Sequence, residues 1–136
     1  KTKQMIENTL DNMRSYTEKA KKEHKSYGGV LNYGRLGNYH SKHKSVEKGL
    51  DELQNEITKA IKLFKKGENI EELLDFIVFL SNNTLNNHKV YMSYFMQARF
   101  QFERGASNIV YHNLKHVKSC SKGIKEVMEK SKKIIV

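Results

Sequence analysis

Tyr27-Gly-Gly-Val-Leu-Asn-Tyr-Gly-Arg-Leu-Gly-Asn-Tyr39 holds four of the chain's eight glycines, and almost everything on either side of it reads as helix. Glycine adopts positive φ without steric cost, so this run predicts an exposed loop where one helix ends and the next begins. Arg35 falls at its tip among three tyrosines, a residue combination enriched at interface hot spots. Partner-binding residues concentrate on loops carried by rigid scaffolds. The simpler reading is an ordinary interhelical connection.

On both sides of that stretch, apolar residues recur every three or four positions. From Lys3 to His24 the stripe is Met5, Ile6, Leu10, Met13, Tyr16 and Ala20. From His43 it continues through Val46, Leu50, Leu53, Ile57, Ala60, Ile61 and Phe64. Gly67 reads as a C-terminal cap, with Lys65 and Lys66 placed at the negative end of the helix dipole. A third helix starts near Asn69, with Glu71 and Glu72 in its first turn. Ser81-Asn82-Asn83-Thr84 predicts the next break, because these side chains compete for backbone hydrogen bonds. A fourth, aromatic helix follows with Leu85, His88, Tyr91, Met92, Phe95, Met96, Phe100 and Phe102. Gly105 punctuates again and Ser107 is a plausible cap. The fifth block carries Ala106, Ile109, Val110, Val117, Cys120, Ile124, Val127 and Met128. The expectation is an all-α, elongated antiparallel bundle of four to five helices with one Gly-rich loop after the first.

Composition agrees. The chain has 136 residues, no proline and no tryptophan, so nothing breaks long helices, and one domain spanning 1–136 is large enough for a core without disulfides. Cys120 is the single cysteine, which excludes an intrachain disulfide and a cysteine-based zinc site. No run approaches the roughly 18 apolar residues of a membrane span, and the N-terminus lacks a signal-peptide core. A start at Lys1 suggests a fragment of a longer protein.

Catalytic patterns are sparse. None of the six histidines has a glutamate three residues earlier, as di-iron bundles require. His112 and His116 share a helix face but have no carboxylate nearby in sequence, so they read as surface histidines, and His40 with His43 is read the same way. Cys120 falls on the apolar stripe, where a small hydrophobe suffices. The glycine run lacks both the phosphate-loop and the dinucleotide spacing. The chain therefore reads as a binder without catalytic residues, metal or cofactor.

Its partner should carry negative charge, since the net charge is +10. On the last helix Tyr111, Lys115, Lys118, Lys122 and Lys125 repeat at three-four spacing, forming a basic face roughly opposite the apolar stripe. A solvated face that keeps the bundle soluble has the same pattern.

The basic, tryptophan-free composition, the arginine-bearing loop after the first long helix and the Tyr111-x-x-x-Lys115 pair together resemble the C-terminal domain of the fibronectin-binding lipoproteins of Lyme and relapsing-fever spirochaetes. The resemblance covers essentially the whole chain but rests on a few positions. It implies a monomeric domain that binds and inhibits a host complement serine protease. That protease is the initiating one of the antibody-triggered pathway, subcomponent r of the first component, so the implied role is immune evasion. It implies contacts from Arg35 on the loop and from Lys115 and Tyr111 on the last helix, with Leu36, Asn38, His112 and Lys118 as further contacts. It also implies a place on the bacterial outer surface through a lipid-anchored N-terminal part, which would bind fibronectin and is absent here. Two other classes stay open: a polyanion binder for nucleic acid or glycosaminoglycan, and a structural bundle docking through its aromatic helix.

Overall fold

The structure, a computed structural model, describes residues 1–26, 37–97 and 104–135, with side chains described for 1–26, 41–93 and 109–131. The described residues form four helices: α1 Thr2–Ser26, α2 Gly37–Lys65, α3 Glu71–Gln97 and α4 Arg104–Ile135. They pack as a bundle in which α1 lies against α2 and α4, and α3 lies against the same two helices. The described residues contain no strand.

Each helix follows from its stripe. Leu10, Met13 and Ala20 of α1 meet Val46, Leu50, Leu53, Ile57 and Ala60 of α2, Leu74 and Ile77 of α3, and Leu114 and Val117 of α4 in one core, all fully buried. Burial of each larger aliphatic side chain contributes about 1.5–3 kcal/mol. Met5 departs from the expected stripe and is exposed, because Ile6 takes the inward position at that turn. Ile109 is likewise exposed while Val110 and Leu114 turn inward.

The end of α2 is closed as expected. Gly67 has φ 80°, its N–H donates to the Phe64 carbonyl at 3.0 Å, and the Glu68 N–H donates to the Leu63 carbonyl at 3.0 Å. This pair of bonds is a Schellman cap, and it satisfies carbonyls that the helix itself leaves open. Two residues after Gly67, the Asn69 side-chain oxygen accepts the Glu71 N–H at 2.9 Å and starts α3.

The break expected at Ser81-Asn82-Asn83-Thr84 is absent: α3 runs through it without interruption. Two contacts explain why. The buried Ser81 hydroxyl donates to the Ile77 carbonyl at 2.8 Å, a bond compatible with helix. Thr84, also buried, packs against Gly49 of α2, where an added Cβ would overlap its hydroxyl. The small polar side chains are thus a close-packing seam, and tertiary contact overrides their preference for a cap. The expected cap at Ser107 is also overturned, since α4 begins at Arg104 and includes both Gly105 and Ser107. Of the glycine-rich stretch, residues 27–36 lie outside the described residues, and Gly37 already belongs to α2.

Candidate partner-binding face

The first half of α4 displays the expected contact residues. Tyr111, His112 and Lys115 are exposed, and Lys118 is half-buried. Because positions four apart stack along a helix, the Lys115 ammonium lies over the Tyr111 ring at 5.1 Å from its centroid. The His112 ring meets the same tyrosine edge-on at 5.5 Å. One cation and two rings therefore form a single surface cluster, preorganised before any partner arrives.

The cluster continues onto α1, which the sequence reading missed. His116 stacks on Tyr16 at 5.0 Å with an interplanar angle of 27°, and the Lys19 ammonium lies 5.9 Å from the Tyr16 centroid. Tyr16 and Lys19 are one turn apart, a spacing visible in the sequence. Their meeting with His116 depends on how α1 packs against α4.

The basic face is narrower than its spacing suggests. Lys125 donates to both Asp75 carboxylate oxygens of α3 at 2.6 and 2.7 Å, and this bond raises the lysine's pKa. Successive positions on a helix turn by about 100°, so Lys118 and Lys125 lie on the flank toward α3 and not opposite the apolar stripe. Lys125 is committed to an ion pair within the fold. Cys120 is half-buried, and burial pushes its thiol above the usual range, away from the thiolate a nucleophile requires.

Arg35 and Leu36 lie outside the described residues, and Asn38 belongs to the first turn of α2 without a described side chain. The helices flanking that segment are nevertheless tied together. His24, in the last turn of α1, donates from Nε2 to the His43 carbonyl at 2.8 Å. His43 returns the bond from its own Nε2 to the His24 carbonyl at 3.1 Å. Their rings stack at 4.0 Å. Tyr91 of α3 meets both rings, at 5.2 and 5.4 Å, with His88 beside it. His43 is therefore a buried histidine and not the surface residue expected. The reciprocal bonds supply partners that make its burial tolerable. His24 was missed although it continues the stripe Leu10, Met13, Thr17, Ala20 at the next i+4 position. Burial is the main force lowering its pKa from 6.5 to about 3; the electrostatic effects of His43 and His88 add to this, and the bond to the His43 backbone opposes it.

Among the described residues, no group of three or more His, Cys, Asp or Glu side chains is placed to hold a metal ion. None of the described helices is long and apolar enough to cross a membrane. No protein-family model, curated protein or solved structure matches this chain.

Proposed function

We propose that this domain is a binding module that engages and inhibits the initiating serine protease of the antibody-triggered complement pathway. The observation that carries the reading is the Tyr111–Lys115 pair, with His112 against it, exposed on one face of α4. A lysine held over a tyrosine presents charge and apolar area with little ordering cost, which is the character of a hot spot. Arg35, in the Gly-rich stretch of sequence between α1 and α2, is the second element. Proteases that cleave after arginine carry a carboxylate at the base of their primary pocket, and in this reading Arg35 fills it as a substrate mimic.

An antiparallel course of the helices, part of the same reading, puts the C-terminal end of α1 and the N-terminal end of α2 at the Tyr111 end of α4. Supporting it, α1 meets α4 at Tyr16 and His116, while Ile6 and Met128 line one groove at the opposite end. The His24–His43 tie between α1 and α2 then lies toward the Tyr111 end. Outer-surface, lipid-anchored display and fibronectin binding through a preceding segment belong to the same proposal.

A polyanion binder fits less well, because Lys125 is occupied by Asp75, which takes one charge out of the basic face. The test is surface plasmon resonance over immobilised complement proteases, with heparin and single-stranded DNA as controls. Arg35→Ala combined with Lys115→Ala should abolish protease binding while the circular dichroism spectrum stays helical. Unchanged protease affinity would refute the reading. Tight, salt-erased binding to the polyanions alone would replace it.

A further inference from the structure

Phe79 is the most exposed large apolar residue among those described, at 61%, and it stacks with Phe76, itself 43% exposed, at 6.3 Å. Both lie on the outward face of α3. That face consists of Glu72, Asp75, Phe76, Phe79, Asn83, Asn86, Lys89, Val90 and Ser93, all of them exposed. Between its ends, the thirteen residues from Phe76 to His88 include no Asp, Glu, Lys or Arg, the longest such run in a chain of net charge +10. Clustered exposed aromatics on a soluble bundle mark an interaction surface.

We infer that this face docks a second copy of this chain, α3 against α3 in opposite directions, about a two-fold axis at Asn82 and Asn83. The order of residues carries the inference. Counting outward from that axis, Phe79 falls opposite Asn86 of the second copy, Phe76 opposite Val90, and Asn83 opposite the Asn82–Asn83 pair. Asp75 falls opposite Lys89 and Val90. A two-fold contact requires one patch to complement itself, and this one does.

Charge argues for the same occupant. Two molecules of net charge +10 repel each other over most of their surfaces, and a contact must use a face where like charges do not meet. The α3 face is acidic at one end, through Glu72 and Asp75, uncharged along its middle and basic at the other end, through Lys89. Docking in opposite directions places acid against base twice. Asp75 holds Lys125 and still keeps 59% of its side chain exposed, so a second cation can approach it. Asp75 and Lys89 lie on the same flank of α3, and same-flank residues are the ones that meet across such an axis.

A lipid surface fits less well. Asparagines occupy the centre of the face, and a helix lying in a membrane interface carries basic residues beside its apolar side, whereas here one end is acidic.

The face from Glu72 to Ser93 is about 32 Å long at 1.5 Å per residue. One helix pair of that length falls at the small end of specific interfaces, so the dimer belongs with the weak, transient contacts. At high concentration it replaces the monomer expected from the sequence.

Sedimentation velocity over a concentration series tests this. The wild-type chain should show a reversible dimer, and Phe79→Glu should weaken association at least about tenfold, since it buries a charge at the contact. Lys89→Asp should weaken it as well, and the double variant Asp75→Lys with Lys89→Asp should recover it, because the charges are then exchanged in both copies. Circular dichroism confirms that each variant is folded. In a Cys120→Ser background, Asn83→Cys should form a disulfide-linked dimer on mild oxidation. A chain monomeric at every concentration with no such crosslink overturns the inference. So does association that is indifferent to Phe79→Glu and to the charge exchange, or binding to anionic vesicles without self-association.

Discussion

Tyr111 and Lys115 form one unit, and so do His24 and His43, but the two pairs act in opposite ways. The first pair is exposed, with the Lys115 ammonium over the Tyr111 ring, and the Arg35 and Lys115 double substitution tests whether a partner uses that charge. The second is buried, and burial disfavours the charged form of His24. With Nε2 of each ring donating to a carbonyl, both histidines carry their proton on that nitrogen. The folded-state pKa of His24 lies below its unfolded value, so the unfolded chain binds the extra proton first as pH falls. Stability from this residue is fully present above pH 6.5 and is lost progressively toward pH 3. The expected slope is about 1.4 kcal/mol per pH unit within that window. Urea unfolding at a series of pH values checks it. His24→Gln should remove about one proton's worth of slope, and an unchanged slope would assign the acid sensitivity to other groups.

Helix ends and helix seams show where local preference rules and where it yields. At Gly67 local chemistry is enough, since positive φ and two capping bonds end α2 whatever packs nearby. Gly67→Ala meets no neighbour but must hold an L residue at φ 80°, so it should cost about 1–2 kcal/mol in a urea titration. At Ser81 to Thr84 local preference loses, because α2 and α3 approach at Gly49 too closely for a larger side chain. Gly49→Ala improves helix propensity yet should destabilise by about 1–3 kcal/mol through overlap with Thr84. Adding Thr84→Ala should return most of that loss. If Gly49→Ala alone proves stabilising by thermal melting, the seam is looser than its geometry indicates.

Across the whole molecule, charge and packing divide the surface into faces of different chemistry. The α1–α4 side groups Tyr16, Lys19, His112, His116, Tyr111 and Lys115, while the outward face of α3 is aromatic and largely uncharged. Between them, Lys125 and Asp75 join α4 to α3, and the buried Ser121 hydroxyl donates to the Leu74 carbonyl at 2.8 Å. On the other side, Lys21 of α1 reaches Asp51 and Gln54 of α2 at 2.6 and 2.9 Å. These exposed or half-exposed ion pairs contribute little each, and their effect is to define register more than to add stability. Helical class, the stripes that became the core and the cap at Gly67 were all legible in the residues. Periodicity and φ preference are local properties, and a chain without proline leaves them nothing to contradict. The continuity of α3 through Ser81 to Thr84, the burial of His24 and His43, the joining of Tyr16 to His116 and the capture of Lys125 by Asp75 were not legible. Each depends on which residue of a distant helix lies opposite, and a side chain's surroundings are set by that neighbour and not by its own place in the chain.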